Sequence, residues 1–231
     1  MNKHSGRQSE KGRLSLFLLF IAMSSLLALS ACAWFETKAE KSAEMLAGEG
    51  MEAFEKGKYR KAIESFEQLR DWYPFSKYAI LAELKIADSY YHLNEYEEAV
   101  FAYEEFENLH PRNDAIPYVI YQIGQCYFEQ IDTVDRDQSV TRKALETFGR
   151  LATQFPGDTY SKTAETRIRE CKKVLAEHEF YVGVFYYRTK HYKAALTRFE
   201  RVISNYPDME NIQQDTRRYI ALCKSELAAE E

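Results

Sequence analysis

Four cysteines, five histidines and 36 Asp and Glu residues are the side chains in this 231-residue chain that could carry covalent, metal or acid–base chemistry. Cys32 stands apart from the rest. It follows Ser30-Ala31 at the end of an uncharged run, Leu14–Leu29, which is itself preceded by Lys3, Arg7, Lys11 and Arg13. Cys126, Cys171 and Cys223 have no such setting, and their spacing matches no zinc or redox pattern. They read as small buried helix residues; a Cys171–Cys223 bridge is an open alternative. His92, His110, His178 and His191 form no HExxH and no other metal-ligand spacing. No Gly-rich phosphate loop and no GxSxG elbow occurs. The carboxylates cluster as solvated helix faces, such as Glu95, Glu97 and Glu98 or Glu104, Glu105 and Glu107. These patterns point away from an enzyme and give no cofactor and no metal site.

Residues 1–31 are the element that positions Cys32. A basic stretch followed by an uncharged, mostly apolar run of 16 residues is short for a bilayer-spanning helix, which needs about 20. It reads as a secretory signal. Leu29-Ser30-Ala31-Cys32 resembles the lipobox of bacterial lipoprotein precursors. That resemblance implies diacylglycerol on the Cys32 thiol, cleavage before it and acylation of the new amino terminus. Ala33, where an Asp would imply retention at the inner membrane, implies sorting to the outer membrane. Residues 32–41 then form a lipidated N-terminus and linker. Removing a leader with four basic residues and one acidic residue leaves 27 basic and 35 acidic, a net charge of −8. That balance argues against nucleic acid as a partner.

The rest of the chain is a repeat. KYRKAIESFEQLRDWYP (58–74), EYEEAVFAYEEFENLHP (95–111), SVTRKALETFGRLATQFP (139–156) and HYKAALTRFERVISNYP (191–207) each carry an Ala, an aromatic four residues later, an apolar residue three further and a Pro five beyond. The sets are Ala62/Phe66/Leu69/Pro74, Ala99/Tyr103/Phe106/Pro111, Ala144/Phe148/Leu151/Pro156 and Ala195/Phe199/Val202/Pro207. Spacings of four and three place the first three members on one helical face, and Pro ends the helix. The pattern resembles the second helix of the tetratricopeptide repeat. First helices are expected at 42–56, 76–93, 114–130 and from about 160 to 188. Small residues Gly50, Ala87 and Gly183 stand twelve before the diagnostic Ala. Gly124 plays that part in the third unit at a distance of twenty, the extra eight residues forming a polar loop within 131–140. A final helix at 211–228 caps the stack. The expected fold is an all-α superhelical solenoid of four to five repeats, with 42–156 and 157–231 as its N- and C-terminal parts.

Aromatics make up 14% of the chain, with 17 Tyr, and many fall on first helices, which line the concave face of such a solenoid. In doublets such as Tyr90-Tyr91 the rings point about 100° apart, so one packs between helices while the other faces a groove. Core packing absorbs most of them. What exceeds it suits a peptide-receiving surface, because Tyr offers contact area, few rotatable bonds and a hydroxyl.

RDWYPFSKYA (70–79), DSYYHLNEYEEAV (88–100) and LAEHEFYVGVFYYRTKHYKAAL (175–196) go beyond any generic repeat. They resemble the BamD family (also called YfiO or ComL), lipid-anchored repeat proteins of the outer-membrane β-barrel assembly machinery. The resemblance covers nearly all of the chain after Cys32. It implies an outer-membrane protein facing the periplasm, in complex with a BamA-like barrel subunit and other lipoproteins of the machinery. The N-terminal repeats would receive the C-terminal signals of unfolded outer-membrane proteins, with Tyr73, Phe75, Tyr78, Tyr90, Tyr91, Tyr118 and Tyr121 as candidates. Glu179, Tyr181, Tyr187 and Arg188 are the candidates for the BamA-facing end. A Tol–Pal or pilus-assembly type of repeat lipoprotein is the alternative scaffold, and would show more regular 34-residue spacing.

Overall fold

A computed structural model describes residues 40–230; the leader, Cys32 and residues 33–39 lie outside the described residues. The described residues hold nine helices and no strand. These are α1 (Ala43–Glu55), α2 (Tyr59–Trp72), α3 (Ala79–His92), α4 (Tyr96–Leu109), α5 (Ile116–Phe128), α6 (Ser139–Gln154), α7 (Thr159–Arg188), α8 (Tyr192–Asn205) and α9 (Glu210–Ala229). Each packs against the next in chain order, with further contacts between α1 and α3, α5 and α7, and α7 and α9. That is a stack of helix hairpins, the all-α repeat solenoid expected from the pattern.

The repeat motif works as a small-residue seat for a large ring. Phe66, Tyr103, Phe148 and Phe199 are all fully buried. Opposite three of them lies a glycine with no room for a side chain: a Cβ on Gly50, Gly124 or Gly183 would come within 2.5–2.6 Å of the Phe66, Phe148 or Phe199 ring. The second unit uses Ala87 and Tyr103 at the same places. The diagnostic alanines, Ala62, Ala99, Ala144 and Ala195, are buried beside the rings, where they let the helix backbones approach.

The proline turns are more structured than the sequence reading proposed. In each, the residue before Pro sits at the helix C-terminus, its N–H bonding the carbonyl four back (Tyr73 to Leu69, His110 to Phe106, Phe155 to Leu151, Tyr206 to Val202). Two residues after Pro, Ser76, Asn113 and Asp158 accept from the backbone N–H two further on, at 3.3, 2.9 and 2.7 Å. These side chains start the next helix by satisfying an amide that has no helical partner. Helices α3 and α5 begin at Ala79 and Ile116 rather than at 76 and 114. The fourth turn has Met209 in that position, and Gln213 compensates by donating to the Tyr206 carbonyl at 3.0 Å. The tight turns inside three repeats each need a left-handed residue: Gly57, Asn94 and Lys190, at φ of 69°, 59° and 61°.

Helix α7 is continuous over 30 residues, about 45 Å at 1.5 Å per residue. Its first half buries Ala164 and Cys171 in the core shared with α3–α6; its second half packs Phe180, Val184 and Tyr187 around Phe199 and Tyr219. The inserted loop before α6 is pinned at two points. Gln138, buried, donates to the Thr133 and Arg136 carbonyls and accepts from the Thr141 hydroxyl at 2.7 Å. The His178 ring, 44 residues on, meets the Val134 carbonyl at 2.7 Å. Cys126, Cys171 and Cys223 are free and buried. Cys171 and Cys223 belong to different cores, which is why they form no bridge. No helix of the described residues is long and apolar enough to cross a membrane.

Candidate functional site

The α2–α3 connection carries three of the sequence candidates. Tyr73 and Tyr78 are half-buried against the first core, formed by α1–α3. Phe75 projects wholly into solvent (101% exposed), and neighbouring Trp72 is also exposed. Pro74 and the Ser76 turn fix this backbone, so the exposed ring is held on a rigid corner. Lys77 places its Nζ 4.9 Å from the Tyr78 ring centre.

Tyr90 and Tyr91 diverge as helix geometry requires. Tyr91 turns toward the α3–α4 turn, where its ring meets His92 and Tyr96 edge-on. Burial, and then the Glu129 carboxylate, push its phenol up to about 12. Tyr90 lines a depression of about 700 Å³ together with residues of α2 and α4. The sequence placed the groove on first helices; this one is walled chiefly by second helices, because Ile86 and Tyr90, four apart, lie on the face of α3 that packs between them. Phe101, at its edge, was not among the candidates. The signal for it was its place in α4 off the Ala99/Tyr103/Phe106 face.

Tyr118 and Tyr121 are committed inward. The carboxylate of Asp88, only 3% exposed, accepts the Tyr103 and Tyr118 hydroxyls on one oxygen, each at 2.7 Å, and Lys85 Nζ on the other at 2.8 Å. Burial, followed by the Asp88 charge, raises both phenols above their ordinary range and keeps them as donors. Gln122 donates to the Tyr118 oxygen at 3.2 Å. Tyr121 packs its ring against Phe148 and Tyr160. Asp88 ties α3, α4 and α5 together and so fixes the angle between the second and third repeats.

At the C-terminal end the four candidates separate. Glu179 accepts both contacts of Arg198, at 3.0 and 3.2 Å, with Arg201 at 3.9 Å, and so joins α7 to α8. Tyr187 is part of the third core, edge-on to Tyr219. Tyr181 and Arg188 line an open groove of about 420 Å³ whose far wall is Val134 of the inserted loop. Phe185, four residues after Tyr181, joins them; both rings are about half exposed (56% and 48%). The LAEHEFYV segment thus has a physical reading: His178 holds the loop, Glu179 the ion pair, Phe180 the core, and Tyr181 the groove.

Among the described residues no group of three or more His, Cys, Asp or Glu could hold a metal ion. Each described histidine has a packing or hydrogen-bond role: His92 stacks on Tyr59, His110 pairs with Glu83, His178 meets the loop, and His191 meets Thr189.

The sequence model of the YfiO family, described as outer membrane lipoprotein, matches residues 39–227. The chain is similar to the outer membrane protein assembly factor BamD of Rickettsia prowazekii, at 37% identity over 161 residues, 70% of this chain and 64% of that protein. It is 29% identical to the protein of that name from Caulobacter vibrioides over 167 residues, 72% of this chain and 55% of the relative. With the Neisseria gonorrhoeae protein of that name it shares 29% over 234 residues, 92% and 87% of the two chains. It therefore spans less than two thirds of the first two relatives and most of the third. Among solved structures, a tetratricopeptide repeat protein from Parabacteroides merdae aligns at 14% identity over 81% of this chain and 78% of that one, with a TM-score of 0.43.

Proposed function

The chain belongs to the YfiO family of outer membrane lipoproteins, and from that premise we propose that it is a lipid-anchored scaffold of the outer-membrane β-barrel assembly machinery. The observation that carries this reading is the family match over residues 39–227, which takes in all nine helices but for the last two residues of α9. In this reading Cys32 bears the lipid, and the helices stand in the periplasm. Several acyl chains on one residue are enough for stable anchoring without a spanning helix.

The two ends of the solenoid then have different tasks. The N-terminal repeats receive the C-terminal signals of unfolded barrel proteins, with Tyr73, Phe75, Tyr78 and Tyr90 at the surface, while Tyr91, Tyr118 and Tyr121 pack within the stack. The C-terminal groove receives the BamA-like subunit. Tyr181 and Phe185 are its anchors, since half-exposed rings at a groove gain most from burial by a partner. Arg188 at its edge supplies a cation, while Glu179 and Tyr187 shape the groove by holding α8 and α9 to α7. We assign the protein no catalytic step and no cofactor.

Affinity purification from detergent-solubilised envelopes tests this reading. A BamA-like barrel protein should co-purify, and Tyr181→Ala with Phe185→Ala should reduce its recovery at least tenfold. The Cys32→Ser variant should leave the membrane fraction. Recovery of the scaffold without any barrel subunit would sink the assignment.

A further inference from the structure

The depression beside Tyr90 has an apolar floor and an acidic mouth. Tyr90 and Phe101 supply its aromatic surface, and Phe101 is 69% exposed although nothing in the fold requires an aromatic there. Glu67, Glu97, Glu98 and Glu105 surround them, reaching in from α2 and α4. Among the described residues none of these four carboxylates has a hydrogen-bond or ion-pair partner. Arg70 is the single cation in the lining, and it sits 3.1 Å from Asp71. Elsewhere acids at helix contacts are paired: Glu95 with Arg60, Glu107 with Arg150, Glu179 with Arg198. Four like charges around an apolar hollow repel one another and gain from a cation that arrives with a ligand. Burial of the Tyr90 phenol, and then Glu67, raise its pKa, consistent with a partly desolvated, negative site.

We propose that this depression binds a polypeptide segment in which an aromatic or aliphatic anchor is flanked by two or more Lys or Arg residues. The anchor covers Phe101 and Tyr90, and the cations sit among Glu97, Glu98, Glu105 and Glu67. Charge complementarity selects this occupant: an acidic or phosphorylated segment would be repelled, and a purely apolar one would leave the carboxylates uncompensated. A volume of about 700 Å³ holds a few side chains, so the segment is short. The inference rests on the reading of the N-terminal repeats as peptide-receiving, and adds the class of peptide they prefer.

Two fluorescein-labelled twelve-residue peptides test it, alike in their apolar residues and C-terminal Phe, one with three Lys and the other with three Gln at the same places. Binding to the full chain in detergent is followed by anisotropy at low salt. The Lys peptide should bind at least tenfold more tightly than the Gln peptide. Glu98→Gln with Glu105→Gln should erase that advantage, as should salt near 0.5 M, while Glu146→Gln on α6 should leave it unchanged. Phe101→Ala should weaken the Lys peptide severalfold. These residues are exposed, so the variants keep the fold. If both peptides bind equally, cation selection is wrong while peptide reception stands. If neither binds, both readings fail. If the Lys advantage survives the double Gln variant, the cations are read elsewhere. A chain that dimerises in sedimentation, and loses the dimer in Phe101→Ala, would assign this face to a second copy and overturn the proposal.

Discussion

Replacing Asp88 with Ala should cost about 4 kcal/mol of stability, with the loss centred on α3–α5. Removing the carboxylate strands the Tyr103 hydroxyl in a fully buried site, and an unsatisfied buried hydroxyl costs about 1–3 kcal/mol. Tyr118 is less enclosed and has Gln122 at 3.2 Å, so about 1 kcal/mol belongs there. Lys85, whose side chain is 22% exposed, can turn to solvent, which makes its unpairing the smallest part. Lost packing around the missing atoms supplies about 1 kcal/mol more. Asp88→Asn should cost about half as much, because its carbonyl still accepts from the phenols but without charge. Tyr103→Phe and Tyr118→Phe should each cost about 1–2 kcal/mol and together more than their sum, since the second removal leaves the carboxylate with Lys85 alone. The assay is urea unfolding followed by circular dichroism, joined to amide hydrogen exchange, because stacked repeats open in parts. Exchange should quicken in α3, α4 and α5 and stay near wild type in α8 and α9. An Asp88→Ala variant within 1 kcal/mol of wild type, with unaltered exchange in α3–α5, would refute the claim that this carboxylate fixes the angle between the repeats.

Two glycines on one helix should respond in opposite directions. Gly48→Ala meets open space and should stabilise α1 by up to about 1 kcal/mol, whereas Gly50→Ala drives a Cβ into the buried Phe66 ring and should destabilise by about 1–2 kcal/mol after the same helix gain; thermal unfolding reads both. Burial pushes the Cys126 and Cys171 thiols up to about 12 and raises that of Cys223, so at pH 8 all three stay protonated. An aromatic disulfide reagent should therefore label none of them in the folded protein and all three in urea without reductant. Glu179→Gln should cost about 1–2 kcal/mol and speed exchange in α8, because it breaks the charged two-point contact with Arg198; pulse exchange with mass spectrometry reads the position.

The repeat was legible because its rule is local. An Ala, a ring and an apolar residue at spacings of four and three lie on one face whatever surrounds them, and in three units a small residue twelve before the Ala faces that ring across a short turn. The turn residue Lys190 was not legible: unlike Gly57 or Asn94 it has no intrinsic preference for the left-handed region, and packing of α7 on α8 imposes it. Asp88 was hidden for a different reason. Its phenol partners stand 15 and 30 residues away on two other helices, and nothing in SYYHLNEY marks the preceding Asp as buried. The loop before α6 read only as a polar insertion because its anchors are a Gln at its own end and a His 44 residues from the carbonyl it meets. For the candidate surface, the sequence put the rings on first helices and left their direction open. Depth in the stack decides that: Tyr118 and Tyr187 sit where neighbouring helices cover them, while Phe75, Tyr181 and Phe185 stay about half exposed or more.

The central claim is that this chain serves barrel assembly. Depleting it in its own cells and following a major outer-membrane barrel protein by heat-modifiable gel migration tests that claim most directly. Folded barrel in the outer-membrane fraction should fall severalfold within a few generations, while its unfolded form collects in the periplasm. Full restoration should need a copy that keeps both Cys32 and the Tyr181–Phe185 groove. Barrel proteins that remain folded and at their ordinary level throughout depletion would contradict the account.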